Sequence, residues 1–303
     1  MRFATRILQL AALLAIVCSG GQAHAFRIHT LSTITTEGST NTRFGYIETD
    51  TGIYTSIKVP IGPAVYRNLV AKNNNFYTTR GNSPSAELGV LDLAGNFSLI
   101  GSAAPNNIDE QIYGMTFGSD NNLYGYGFTN NSLGVINTST GTYGSPVSSG
   151  VTVVNPQGGR LATFGNQMFG IFRTSPTTAT DGQLRSITVN SPTSVTYNTI
   201  KTSILYRTMI LAATSKGLYG LFANGTSGQQ ALYTINTTTG VPTFWKNITN
   251  KAGTPAGQQI GTFFHGAAIV PGPLPILATT VIFGSVRKMK KLSSRLSSLK
   301  QIA

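Results

Sequence analysis

The chain is predicted to be an all-β repeat protein, a β-propeller of five four-stranded blades closed by both chain ends. Three observations support this. One phrase recurs along the sequence, short apolar runs alternate with turn residues, and an incomplete unit stands at each end of the array. The phrase is clearest at residues 218–240, where LYGLF, a polar loop and LYTINTTTG follow one another. An earlier copy, LYGYG with LGVINTSTG, occupies 123–141, and looser copies occupy 75–96 and 168–192. Residues 44–52, FGYIETDTG, hold only its second half. The apolar residues before the turn are Ile47, Leu91, Ile136, Ile187 and Ile235, in steps of 44, 45, 51 and 48 residues. That period suits a small sheet that needs neighbours to bury both of its faces.

Each unit supplies four strands. The innermost reads LVA at 69–71, MTF at 115–117, LATF at 161–164 and MILAA at 209–213. The LYG-like run is second and the LGVIN-like run third. The fourth is an alternating run such as NFSLI (96–100) or PTFWKN (242–247). β-Branched and aromatic residues broken by Asn-Gly and Thr-Gly pairs favour strands over helices. Residues 26–59 provide outer strands without an innermost one, whereas FFHGAAIV at 263–270 looks like an innermost strand without its blade. Joined, they complete a fifth blade and remove two open sheet edges. Counting 26–35 separately would give six blades, and a β-sandwich is the remaining alternative. The turns at 137–141 and 236–240 lack the clustered carboxylates of a calcium loop. They read as Asn-capped turns in which Gly supplies positive φ.

At 40% hydrophobic and 10% charged over 303 residues, the chain can bury a sizeable core, and no linker divides its middle. The formal charge of +13 is concentrated at the ends. Setting aside Arg2 and Arg6, and six basic residues beyond 286, leaves 14 basic against nine acidic residues, scattered through the repeats. A nucleic-acid partner would require them gathered on one face.

Both ends read as addresses. Residues 1–25 form a secretory signal peptide: Arg2 and Arg6, an apolar stretch at 7–17, then Ala23-His24-Ala25 for signal peptidase. The single cysteine, Cys18, lies within it, so the mature chain would have no disulfide, and Val17 argues against lipoprotein processing. The repeat domain spans 26–270. It is followed by Pro271-Gly272-Pro273-Leu274-Pro275, an apolar segment at 274–286, and Arg287, Lys288, Lys290 and Lys291. This segment is predicted to be a short membrane helix with its positive end on the cytoplasmic side. Met289, Leu292, Leu296 and Leu299 then recur at the spacing of one helical face, giving a basic amphipathic tail.

This arrangement resembles the PEP-CTERM sorting signal, in a Pro-Gly-Pro-Leu-Pro form similar to cyanobacterial members, with Gly272 where the family name has Glu. The resemblance covers residues 271–303. It implies an exported protein held transiently in the membrane through its C-terminal segment and processed by an exosortase-like enzyme. The protein is then released or attached at the cell surface or extracellular matrix, often alongside exopolysaccharide production.

For chemistry, the nine acidic residues fall mostly in turns, and no pair of carboxylates assembles from spacing alone. There is no Gly-x-Ser-x-Gly, Walker loop or cysteine nucleophile. His29 and His265, the histidines outside the leader, are too few for a histidine-rich metal site. No catalytic residue, metal site or cofactor is therefore assigned. The innermost strands begin with Tyr66-Arg67, Tyr113, Arg160, Tyr206-Arg207 and Phe264-His265, which superposition of the units would gather at one end of a central channel. Aromatic rings and guanidinium groups suit sugars and carboxylated polysaccharide. Tyr66, Arg67, Tyr113, Arg160, Tyr206, Arg207 and His265 are thus the candidate ligand-binding residues. The expected function is a non-catalytic structural, adhesive or glycan-binding propeller at the cell surface. The alternative is a secreted polysaccharide hydrolase or lyase using the same channel mouth.

Overall fold

The computed structural model describes residues 26–36, 39–59, 61, 66–81, 86–101, 112–127, 131–148, 160–173, 182–191, 194–204, 210–224, 229–254 and 263–270. The chain divides into two units, Met1–Val270 and Pro271–Ala303. The leader with Ala23 and Ala25, the sorting motif Pro271–Pro275, the basic cluster Arg287–Lys291 and the expected C-terminal helix all lie outside the described residues. So do Tyr206 and Arg207. Among the described residues no helix is long and apolar enough to cross a membrane.

Every regular element among the described residues is a strand. In chain order, β1 (Arg27–Thr36), β2 (Ser39–Glu48) and β3 (Ile53–Lys58) precede four antiparallel meanders of four strands each. The first contains β4 (Tyr66–Lys72), β5 (Asn75–Arg80), β6 (Glu87–Leu91) and β7 (Phe97–Leu99). The second contains β8 (Ile112–Phe117), β9 (Leu123–Gly127), β10 (Ser132–Ile136) and β11 (Tyr143–Ser148). The third contains β12 (Arg160–Phe164), β13 (Gln167–Arg173), β14 (Gly182–Ser191) and β15 (Ser194–Ile204). The fourth contains β16 (Ile210–Thr214), β17 (Gly217–Asn224), β18 (Gln229–Ile235) and β19 (Pro242–Asn250). β20 (Phe263–Val270) returns to pair antiparallel with β1, from Arg27↔Val270 to Thr33↔Phe263. The two ends of the strand array therefore meet in one sheet, in the order β20-β1-β2-β3.

The arrangement is a β-propeller. β4, β8, β12, β16 and β20 each contact the next, and β20 contacts β4, which closes the circuit. The core lies in slabs between neighbouring sheets, because alternate residues of each strand face opposite sides. Leu31, Phe44, Tyr66, Phe76 and Leu91 fill one slab, and Leu88, Ile112, Met115, Leu123 and Ile136 fill the next. The phrase that repeats in the sequence is thus the set of side chains each sheet sends into its two slabs.

The Asn- and Asp-headed turns follow from local hydrogen bonding. Asn137 Oδ1 accepts from the Ser139 and Thr140 amides at 2.8 and 3.1 Å, and Gly141 closes the turn at φ 75°. Asn236 accepts from Thr238 and Thr239, each at 2.9 Å, with Gly240 at φ 69°. Asp92 does the same for Ala94 and Asn96 at 2.9 and 2.8 Å.

Two features join the last meander and the returning strand to their neighbours. β19 runs parallel to β3 for one step, Thr249↔Ile53 and Asn250↔Tyr54, which merges the sheets into one of eight strands. The Thr249 amide donates to the Gly52 carbonyl at 3.0 Å, and the Lys251 amide to the Tyr54 carbonyl at 3.1 Å. In β20, Gly266 lies against the backbone of β4. A Cβ added there would fall on the Leu69 amide nitrogen and the Asn68 carbonyl carbon, and would stand 2.8 Å from the Leu69 Cβ.

Candidate functional site

The five inner strands enclose a cavity of about 210 Å³, lined by residues 69–71, 115–117, 161–163, 211–213 and 267–269. A recess of about 10 Å³ lies toward the beginnings of the same strands, with Asn68, Gly114, Arg160, Ile210 and His265 in its wall. Leu69, Met115, Leu161, Leu211 and Ala267 line both and form the layer between them. The recess marks the end of the channel at which the candidate residues were expected to gather; of them Arg160 and His265 line it, and Arg67 and Tyr113 do not.

Three of the inner strands carry a register shift at this level. In β8, Ile112 pairs with Gly127 and Gly114 with Tyr126, so Tyr113 is an extra residue. In β20, Leu31 faces Gly266 while Ser32 faces Phe264, which makes His265 the extra one. In β4 the shift falls between Arg67 and Val70. A bulge bends the strand and re-aims the side chain at it. These three shifts explain why the inner strands present Arg67, Tyr113 and His265 at the mouth.

The β4 bulge is held by buried side-chain hydrogen bonds. Asn68 adopts φ 60°, a left-handed conformation that Asn tolerates better than most residues. Its Nδ2 donates to Thr79 Oγ1 at 3.1 Å and, across to the next meander, to the Ile112 carbonyl at 2.7 Å. The Thr78 and Thr79 hydroxyls donate to the Arg67 carbonyl at 3.0 and 3.1 Å. Thus anchored, Arg67 lays its guanidinium over the Tyr113 ring, 5.4 Å from the centroid, and its Nε is buried without a hydrogen-bond partner. Arg160 begins β12, which does not adjoin β20 in the circuit. Its Nη1 nevertheless donates to the Phe264 carbonyl at 2.9 Å, so the side chain spans the mouth.

The electrostatics follow from this crowding. Burial, and then the charge of Arg67, lower the pKa of Arg160 to about 10, with the Tyr113 phenol acting in the opposite sense. Burial, followed by Arg160 and Arg67, lowers His265 to about 3, so its imidazole is neutral at physiological pH. The mouth thus disfavours any further positive charge. The described carboxylates lie elsewhere. Glu48, Asp50, Asp92 and Asp120 are at the ends or turns of strands on the opposite side, and Glu87 is paired with Arg80 at 2.6 Å.

Arg67, Tyr113, Arg160 and His265 therefore come together, whereas Tyr66 does not join them. Its ring is buried in the slab beside Phe97, at 5.3 Å between centroids, and its hydroxyl donates to the Ile61 carbonyl at 3.2 Å. Adjacent strand residues point to opposite faces, so the Tyr66-Arg67 pair could not both face the channel. His29 lies apart from the mouth, against Phe44 and Phe76, and its pKa is lowered to about 4 by burial and then by Arg27. Sequence reasoning missed Asn68 and the Phe264 carbonyl. Asn68 interrupts the apolar run of β4, and a strand-breaking residue at that point is the available sign of a bulge.

No protein-family model matches the chain, and no curated protein matches it. Among solved structures it is similar to a chain of a nidogen/laminin complex, at 10% identity over 82% of this chain and all of that one, with a TM-score of 0.48. It is similar to an α-L-arabinofuranosidase from Clostridium thermocellum at 13% identity, covering 73% of this chain and 93% of that one, TM-score 0.45. A virginiamycin B lyase from Staphylococcus aureus gives 16% identity, 71% of this chain and 68% of that one, TM-score 0.38.

Proposed function

We propose that the protein is an exported five-bladed propeller that binds acidic polysaccharide at its channel mouth without turning it over, at the cell surface or in the extracellular matrix. The fifth blade in this reading is β20-β1-β2-β3, and its inner strand completes the circuit of five. Export and temporary membrane attachment rest on the leader ending at Ala25 and on the resemblance of residues 271–303 to a PEP-CTERM signal. Signal peptidase and an exosortase-like enzyme would be the processing partners.

The observation that carries the binding reading is the convergence of Arg67 and Arg160 on a histidine that they help to keep neutral. Two neighbouring guanidinium groups, Arg160 in the wall of the recess and Arg67 over the Tyr113 ring, favour a carboxylate or sulfate. The Tyr113 ring, already faced by Arg67, adds an aromatic wall of the kind that sugar faces stack on. The recess itself has room for no more than about one water molecule, so a charged group of a chain lying across the mouth would sit at its rim rather than inside it.

The test is retention on immobilised polygalacturonate, alginate and neutral dextran, for wild type and for R67M. Retention of the acidic polymers should fall roughly tenfold in R67M and weaken with salt, with dextran unretained throughout, as expected for a charge-assisted contact. Equal retention of R67M and wild type on the acidic polymers would overturn the reading, and release of reducing sugar would replace it with a hydrolase.

A further inference from the structure

We infer that the end of the propeller opposite the mouth rests on the membrane surface, with Leu93 and Val241 in the lipid interface on either side of the closing sheet. The inference depends on the proposal above that both chain ends are membrane addresses, and it adds which face of the domain meets the bilayer. Its first support is the register of closure. Arg27 pairs with Val270, so the segments before Phe26 and after Val270 leave from adjacent strands at the same end. That is the finishing end of the inner strands, whereas Arg67, Tyr113 and His265 stand near their beginnings.

The second support is independent of the chain ends. Three large hydrophobic side chains among the described residues are exposed: Leu93 at 57%, Val241 at 45% and Phe244 at 54%. Leu93 lies in the β6–β7 turn and Val241 in the β18–β19 turn, both at the end from which the chain leaves. Phe244 is two residues into β19. The meanders holding these turns are the two that flank β20-β1-β2-β3. In the β10–β11 turn, away from the closure, the positions corresponding to Leu93 and Val241 are Thr138 and Thr142. Each of the two flanking turns thus carries one exposed apolar residue where the β10–β11 turn has threonine, at different positions: Thr237 stands at the Leu93 position of the β18–β19 turn and Asn96 at the Val241 position of the β6–β7 turn.

The depth of contact is limited by chemistry at the same end. Asp92 is tied into its own turn by amide donors, and Asp120 accepts from the Asn122 amide and the Tyr124 hydroxyl. These carboxylates stay hydrated, which suits seating at the headgroup boundary rather than insertion.

The experiment uses the full chain carrying C18S, reconstituted in phosphatidylethanolamine–phosphatidylglycerol vesicles. With Cys18 replaced no native cysteine remains, so a fluorophore can be attached at L93C, V241C or, near the mouth end, S148C. Nitroxide lipids should quench the probes at 93 and 241 at least about threefold more than the probe at 148, as expected for interfacial burial of one face only. Protein that floats with the vesicles but is quenched equally at all three sites, or most at 148, overturns the orientation and leaves membrane attachment standing. Protein that does not float overturns the attachment itself, and the orientation with it.

Discussion

Replacing Gly266 by alanine tests whether the returning strand is packed on β4 as tightly as the geometry requires. The added methyl would meet backbone atoms of Asn68 and Leu69, which cannot rotate away as a flexible side chain can. β20 is also fixed on its other side by its pairing with β1, from Arg27↔Val270 to Thr33↔Phe263. Overpacking of this kind destabilises by typically about 1–3 kcal/mol, and the backbone location puts G266A at about 3 kcal/mol. For a domain of this size each kcal/mol lowers the melting temperature by roughly 2–4 °C, so a fall of roughly 6–12 °C is expected by calorimetry. The matched control is G144A in β11, where the nearest atom to an added Cβ is the Val135 carbonyl oxygen at 4.0 Å. G144A should stay within about 0.5 kcal/mol of wild type, as surface substitutions usually do. Indistinguishable melting of G266A, G144A and wild type would refute the close approach of β20 to β4 and the closure built on it.

Other predictions follow from the same contacts. A chain ending at Thr262 should lose cooperative thermal unfolding, because β1, β4 and β16 lose the strand they share, whereas a chain ending at Val270 should keep it; equal behaviour would argue against closure by β20. Y66F removes the hydroxyl donated to Ile61 and should cost about 1 kcal/mol of stability while leaving retention on acidic polysaccharide unchanged. His29 and His265 have folded pKa values of about 4 and about 3 against an ordinary 6.5, so the unfolded chain binds protons first on acidification. Their contribution is complete above about pH 6.5 and declines below it, by roughly 1.4 kcal/mol per pH unit for each histidine at most. H29Q should therefore flatten the loss of stability between pH 6.5 and 5 by about half in urea titrations, and an unchanged slope would show that His29 is not buried neutral.

The fold was legible because each sheet must satisfy the same demands. A residue such as Ile136 or Ile235 ends the third strand, an Asn caps the turn, and a Gly adopts positive φ. These are local constraints, and they repeat with the unit. The closure was readable for a related reason: residues 26–59 and 263–270 are each incomplete alone, and exposed edges are unfavourable. The β19–β3 clasp was not readable. It is one parallel step between strands about 200 residues apart, made largely by backbone groups that every residue type carries. The site was legible only in part. The alignment of units brought Arg67, Tyr113, Arg160 and His265 to one level, but it treated Tyr66 and Arg67 as companions when the alternation of a strand separates them. Bulges decide which side chain reaches the channel, and they depend on tertiary hydrogen bonds such as that from Asn68 to the Ile112 carbonyl.

Bulges also give a repetitive ring a way to depart from its own symmetry. Identical sheets around a channel would present the same side chain once per sheet and could not distinguish one direction of a ligand from another. Extra residues occur at the mouth level in β4, β8 and β20; the matching positions, just before Arg160 in β12 and just before Ile210 in β16, lie outside the described residues. β20, β4 and β8 are consecutive in the circuit, so the re-aimed residues occupy one arc of the mouth. Arg160 reaches that arc from β12 by donating to the Phe264 carbonyl, which brings its charge to the side where Arg67, Tyr113 and His265 already stand. The repeat supplies a frame, and departures from its register on three neighbouring strands bring Arg67, Tyr113 and His265 to one arc of the mouth.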